Sequence, residues 1–460
     1  MSLLSPQFAM LDRATAPELR GTVTQVRGLA VRVTDLPVPV GSLVKLHTQR
    51  GAGPVVEGEV VGLDEHDVIV MPLAATTGIS RGDRVVAVQQ DQSVSVGPGL
   101  LGRVIDGMGR PMDGKGPVGE TVPVPLHPDP LDPLQRQTVE QPLATGVRAV
   151  DSMLSVGRGQ RIGAFAMPGV GKSTLLGTMA KHTAADVSII ALVGERGREV
   201  REFIDNTLGE DGLKNSVVVC ATGDEPALLR VRAAMVATSI AEYFRDTGHD
   251  ALLIMDSITR FCHAQRQIGL TAGEPPATRG YPPSVFAMLP TLLERSGRTQ
   301  NGSITGLYSV LVEGGDMDEP IADACRGVLD GHIQLSRQLT EKGHYPAIDV
   351  LNSISRAADD VTDPEHQAAK RAVVKCLSDY QQVEDLLNIG AYAAGSNPDY
   401  DLAIACKPAI DQLLQQGRNE TQGLGDFNQA RAQLLALKQR IDETSQKLEQ
   451  QQQRGGQYAR

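Results

Sequence analysis

The sequence predicts an α/β fold: a core of parallel strands and covering helices built on a phosphate-binding loop, with a strand-rich domain before it and a helical domain after it. Three observations predict it. The stretch "AFAMPGVGKSTLL", residues 164–176, has the spacing of a loop that wraps phosphate. From about Gly146, apolar runs alternate with helix-length segments, the pattern of a mostly parallel sheet covered on both faces. After Arg356 the strand signals stop and only helical periodicity remains.

From about Glu18 to Val88 the chain reads as short strands. "LAVRV" alternates apolar and polar residues, "VVEGEVVGL" and "VIVMPL" are β-branched runs, and Gly and Pro punctuate between them. Closely spaced short strands predict a small barrel or sandwich. The segment "DGMGRPMDGKGPVGETVPVPLHPDPLDPLQRQ" then reads as a Gly/Pro-rich connector without regular structure. These signals divide the chain into residues 1–90, 91–355 with the connector leading in, and 356–460.

In the central part "RIGAFA" reads as a buried strand that delivers the loop. Ala166 stands where a small residue opens the turn, Gly169 and Gly171 let successive N–H groups point inward, and Val170 lies between them. Lys172 supplies a point charge for terminal phosphates, and Ser173 offers a hydroxyl to Mg²⁺. Thr174 and the residues after it form a helix whose N-terminus adds partial positive charge where the anion sits. A Gly-rich structural turn would explain the glycines but not the adjoining lysine and serine.

Two strand ends add to this. Asp256 closes the apolar run "LLIMD", where a carboxylate at a buried strand's C-terminal edge can hold a water ligand of Mg²⁺. "GERGREV", residues 194–200, follows the strand "IIALV" and places Glu195 to orient an attacking water and Arg196 to contact phosphate oxygens. A surface salt-bridge cluster at a helix start is the competing account of these charges.

In the last part, Val373, Cys376, Leu377, Tyr380, Val383 and Leu387 share one helical face. Further on, Leu434, Leu437, Ile441 and Leu448 fall on heptad-like spacing with Thr444 in the seam. That spacing suits a solvated terminal helix or a partner-binding coiled coil equally.

Bulk properties bound the function. The chain has 460 residues, 41% hydrophobic and 22% charged, which is ordinary for a globular protein of two to four domains. Its net charge of −11 and 3% aromatic content argue against a single-strand nucleic-acid groove. Five scattered cysteines without a CxxC pair point to a reducing compartment. The N-terminus lacks the pattern of a secretory signal, and no run approaches the ~20 apolar residues of a membrane span, so any membrane role is expected to be peripheral.

"GERGREVREFI", "LLIMDSITRF", "GEPPATRGYPPSVFAMLPTLLERSG", "GSITGLYSVLVEG", "PIADACRGVLDGHI" and "HYPAIDVLNSISR" resemble the type III export ATPases of flagella and virulence injectisomes, relatives of the rotary ATP synthase catalytic subunit. The likeness runs from about Arg20 to Gly417. It implies a β-barrel, a RecA-like P-loop ATPase core and a C-terminal helical domain, assembled as a homohexamer with ATP and Mg²⁺ at the subunit interfaces. It implies that Arg356 of "SISR" is an arginine finger serving the neighbouring subunit, and that Tyr345 of "HYP" stacks on adenine. Taken alone, Tyr345 would more often be plain core.

The same resemblance implies cytoplasmic placement at the inner face of the membrane. Its implied partners are a stator or regulator protein, a central stalk protein, export chaperone–substrate complexes and the membrane export gate, with no nucleic acid. It places the loop "GEPPATRGYPPS" toward the ring's central channel. "LLGRVIDGMGRPMDG", "GVGKSTLLGTMAK" and "IGAYAAGSNPDYDLAI" lean toward the flagellar branch; an injectisome ATPase, a rotary ATP synthase-type subunit and a Rho-like RNA translocase are the alternatives. Met167, Pro168 and Gly315 depart from the family pattern, the N-terminal segment that meets the regulator is short, and the tail runs past the usual end.

Overall fold

A computed structural model describes residues 18–51, 53–89, 92–417, 420 and 425–458. The N-terminal segment expected to meet the regulator protein, and the last two residues of the tail, lie outside the described residues.

Six strands open the fold: β1 (Arg20–Arg27), β2 (Ala30–Thr34), β3 (Leu43–His47), β4 (Val55–Leu63), β5 (Asp67–Pro72) and β6 (Arg84–Gln89). They close into a barrel of order β1-β2-β5-β4-β3-β6, sealed by the pairing of Arg20 with Val86. Alternation drives this. Val31, Val33, Val44, Leu46, Val60 and Val70 point inward and are fully buried, while their neighbours face outward. On β5 the outer face is buried too, because Met71 and the following Leu73 join the core of the next domain.

The connector is more ordered than its composition predicts. Val122–Pro125 pairs as β9 with β7 (Ser93–Val96), Val94 facing Val124. A two-stranded ribbon tolerates Pro123 and Pro125, since an edge strand can spare their missing N–H groups. Between these two strands, β8 (Arg103–Asp106) joins the central sheet as its edge.

That sheet comprises β10 (Arg161–Ala166), β11 (Val187–Val193), β12 (Ser216–Ala221), β13 (Asp250–Asp256), β14 (Gly297–Arg298), β15 (Ser303–Leu311), β16 (Gly331–Gln334) and β17 (Ile354–Ser355), besides β8. The order is β17-β16-β10-β15-β13-β11-β12-β8, with β14 pairing beside β15. Pairing is parallel except at β17 and β14. Every residue of β11 and β12 is buried, as helices on both faces require. The sheet therefore presents the C-terminal ends of β10, β11, β13 and β15 along one edge, which in open α/β sheets is where ligands bind.

Helices Pro364–Asn388, Pro398–Leu414 and Phe427–Tyr458 form the last part, the first two capped by the side chains of Asp363 and Asn397. On the first, Val373, Cys376 and Val383 are buried and Leu377 packs beside them. The last helix packs into the core over its first half and faces solvent from Asp442 to Gln450, where Thr444, Ser445 and Leu448 are half-buried. Leu434, Leu437 and Ile441 are buried against the other two helices and the short helix Arg148–Met153, filling this chain's own core. Seam spacing of three and four residues serves any helical neighbour equally, and here the neighbours are intramolecular. No helix among the described residues is long and apolar enough to cross a membrane.

Candidate active site

The loop leaves β10 at the buried Ala166 and turns into the helix Lys172–His182. Gly169 has φ of 83° and Gly171 of 91°, the left-handed region where only glycine is unstrained. Gly171 caps the helix without any side-chain bond, and among the described residues the N–H groups from Gly169 to Ser173 have no acceptor. Unpaired amides converging at a helix N-terminus make a cradle for anionic oxygens. Val170, Leu175 and Leu176 are buried beneath the cradle and hold it to the sheet, while the Ser173 hydroxyl side is exposed and Thr174 half-buried.

Lys172 reaches from this helix to the ends of two other strands. Its ammonium pairs with Asp256 Oδ1 and lies 3.5 Å from Ser309 Oγ and 3.9 Å from Glu195 Oε1. Ser309, in β15, donates to the same Asp256 oxygen at 2.6 Å. Asp256 ends β13, its peptide to Ser257 is cis, and Ser257 caps the helix Ile258–Ala272.

Glu195 follows β11 through Gly194, whose φ of 73° turns the chain. A Cβ on Gly194 would stand 2.9 Å from both Cβ and Cδ of Arg260, so glycine here lets Arg260 lie across the turn. Arg260 Nε donates to Glu195 Oε1 at 3.1 Å. Burial first, and then the neighbouring Asp256 charge, push the Glu195 carboxyl up to about 7, against the opposing pull of Lys172 and Arg260. A carboxyl poised near neutrality can take and release a proton under ordinary conditions.

The two charged residues of "GER" part company. Glu195 is buried in the site, whereas the Arg196 side chain is 77% exposed and turns to Glu199 at 3.4 Å. Arg196 is the capping residue of the helix Gly197–Glu202, and its backbone direction sends the side chain outward.

Tyr345 borders the cradle from the other side. Its Cδ1 and Cε1 lie 3.9 Å from where a Cβ on Gly171 would stand. The ring is half exposed and lines a cavity of about 1150 Å³ with Val170, Thr174, Leu413 and Gln416. Arg356 is elsewhere. It follows the edge strand β17, its side chain is exposed, and among the described residues its guanidinium has no hydrogen-bond or ion-pair partner. Gly315 and Met167 stand together: a Cβ on Gly315 would lie 3.6 Å from the methionine sulfur.

Lys172, Ser173, Glu195 and Asp256 thus come together with Ala166, Gly169, Val170, Gly171, Thr174 and Tyr345 around them; Arg196 and Arg356 do not. Ser309 and Arg260 are additions that the sequence reading lacked. Arg260 stood in plain view four residues past Asp256, but nothing in spacing tells that it bends back to Glu195.

Hydroxyl and carboxylate oxygens from Ser173, Asp256 and Glu195 are hard donors, few in number. They suit Mg²⁺, which is held by one or two carboxylates together with substrate phosphates.

Three family models match the chain: the ATP synthase alpha/beta family β-barrel domain over residues 23–89, the nucleotide-binding domain of the same family over 146–355, and the T3SS EscN ATPase C-terminal domain over 362–436. The flagellum-specific ATP synthase of Bacillus subtilis is 50% identical, covering 87% of this chain and 91% of its own. That of Pseudomonas aeruginosa is 49% identical over 91% and 94%, and the type 3 secretion system ATPase of Xanthomonas euvesicatoria 48% over 86% and 89%. Among solved structures, the assembled ATPase EscN of the enteropathogenic E. coli type III secretion system superposes with a TM-score of 0.84 at 40% identity, covering 91% of this chain and all of its own. EscN in complex with its central stalk EscO gives 0.83, at the same identity and coverage. This chain, with its barrel, phosphate cradle and helical domain, belongs to the family of flagellar and type III secretion ATPases, enzymes that hydrolyse ATP.

Proposed function

We propose that this ATPase energises protein export through a type III apparatus, the flagellar one, by releasing substrates from chaperones and feeding them unfolded to a membrane export gate. The observation that carries the catalytic part is the meeting of Lys172, Asp256 and Glu195 beside the loop amides at one sheet edge. In this reading the amides from Gly169 to Ser173 and the Lys172 ammonium bind the phosphates, while Tyr345 and the cavity beside it take the adenine. Ser173 and Asp256 would hold Mg²⁺, which when bound would neutralise charge developing on the phosphates.

The Glu195 carboxylate, held by Arg260, aligns the attacking water on the γ-phosphorus and takes its proton. The water oxygen forms the new P–O bond, the bond from the γ-phosphorus to the bridging oxygen breaks, and ADP leaves with that electron pair.

The exposed, unpaired guanidinium of Arg356 supports a ring of identical subunits, each supplying Arg356 to the next subunit's site. Such a finger contributes about 10³–10⁵ in rate. The EscN structure described as assembled supports the ring, and the complex with EscO supports a central stalk partner. A regulator protein, chaperone–substrate complexes and the export gate complete the set, with the enzyme cytoplasmic and peripheral at the inner membrane face. Buried free cysteines support a reducing compartment.

Purified protein tests the ring: specific ATPase activity should rise with protein concentration, and full activity in dilute monomer contradicts it. The 48% identity of the Xanthomonas secretion ATPase favours a second reading, an injectisome enzyme. Loss of motility on deleting the gene supports the flagellar reading; intact motility with lost effector secretion supports the other.

A further inference from the structure

The cavity beside Tyr345 is lined on one side by Leu413, Gln415, Gln416 and Glu420 of the helical domain, and one side chain of the nucleotide domain holds them in place. Arg148 begins the short helix Arg148–Met153. Its Nε donates to Leu413 O at 2.8 Å, its Nη2 to Gln415 O, and its Nη1 pairs with Glu420 Oε1 at 2.5 Å. The two carbonyls belong to the last turn and cap of the helix Pro398–Leu414, so Arg148 satisfies acceptors that the helix end leaves open and adds positive charge where its dipole is negative.

Gln416 returns the grip. Its amide oxygen accepts from Arg148 N–H at 2.8 Å, its amide nitrogen donates to Gly146 O at 2.9 Å, and its own N–H donates to Tyr345 O at 2.9 Å. The turn that carries Arg148 is itself anchored, because the buried Asp151 accepts from Thr145 N at 2.8 Å and from its hydroxyl at 2.6 Å. Arg148, Gln416, Glu420 and Tyr345 all line the same cavity.

We infer that Arg148 is a positioning residue for nucleotide binding: it latches Leu413, Gln415 and Glu420 onto the nucleotide domain and, through Gln416, sets where Tyr345 stands. The inference rests on the reading of Tyr345 as the adenine contact. Lys172, Glu195 and Asp256 do not line this cavity, so the latch governs binding of the whole nucleotide equally in ground and transition state, and its loss appears in KM rather than kcat.

The test is steady-state ATPase kinetics of the full chain with fluorescent ADP titration and thermal melting. Arg148→Ala should raise KM for ATP about 10-fold and weaken ADP binding by the same factor, with kcat at saturating ATP within about 2-fold of the parent. Arg148→Lys keeps the charge opposite Glu420 but cannot reach both carbonyls, and should fall between. An unchanged KM in folded Arg148→Ala, or a fall in kcat alone, overturns the latch. Should Arg148→Ala fail to fold, Gln416→Ala decides: a rise in KM of about 3-fold supports the inference and an unchanged KM overturns it. Tyr345→Ala separates the two claims. If it leaves KM unaltered, the adenine reading fails; if it raises KM while Arg148→Ala does not, only the latch fails.

Discussion

Replacing Glu195 with Gln separates chemistry from folding in a single variant. The amide oxygen can still accept the bond from Arg260 Nε, which spans 3.1 Å in the parent, and the Lys172–Asp256 pair is untouched. What disappears is the carboxylate that takes the water's proton. General-base contributions of this kind are worth about 10²–10⁴-fold, or roughly 3–5 kcal/mol of barrier, so kcat should fall by that factor while ATP still binds.

Stability should move the other way. Burial and Asp256 raise the Glu195 pKa from its usual 4.5 to about 7 in the folded chain. Between those values the unfolded chain has released its proton and the folded chain retains it, so the parent loses stability as pH rises through that window. Glu195→Gln carries no such titration. Melting curves without nucleotide, from pH about 5 to about 8, should show the variant at or above the parent at the upper end. Near-normal turnover removes Glu195 from the mechanism. Lost turnover together with a much lower melting temperature at the upper end assigns the effect to folding and refutes the reasoning.

Other expectations follow from the same geometry. Lys172→Ala should abolish nucleotide binding and cost about 3 kcal/mol in urea unfolding, because it strips the buried Asp256 of its charge partner; unaltered stability shows that the pair contributes nothing. The parent's kcat/KM should be lost as pH falls through about 7, since Glu195 must be ionised to take a proton from water, and that limb should vanish in Glu195→Gln. Arg356→Ala should bind ATP as the parent does yet turn it over about 10³–10⁵-fold more slowly; parental turnover removes the arginine from the site.

The parts of the site legible in the sequence are those whose chemistry needs fixed types at fixed spacing. The cradle from Ala166 to Ser173 and the strand-end Asp256 are local, and a parallel sheet brings its strand ends to one edge whatever the loops do. Arg260 and Ser309 were not legible, because each enters the site by tertiary approach. Ser309 looks like one more small residue in a buried strand, and Arg260 meets Glu195 only because Gly194 leaves room. The charges of "GER" were half legible: the motif marked the place but not which side chain turns inward.

The barrel's strands β2, β4 and β5 were visible, with alternation plain in β2. Its closure was not, since that depends on Arg20 pairing with Val86 across the whole domain. The seam of Leu434, Leu437 and Ile441 shows the same limit: periodicity gives the buried face of a helix but not what buries it. Met167 and Gly315, far apart in sequence, are neighbours at the loop, which spacing could not tell.

The central claim is that each site is finished by the adjoining subunit. Mixing two inactive variants, Lys172→Ala and Arg356→Ala, tests it most directly, because a mixed ring contains interfaces where an intact Lys172 faces an intact Arg356. The account predicts that ATPase activity returns on mixing and peaks near equal proportions. Activity that stays absent at every ratio in assembled mixed rings would contradict it.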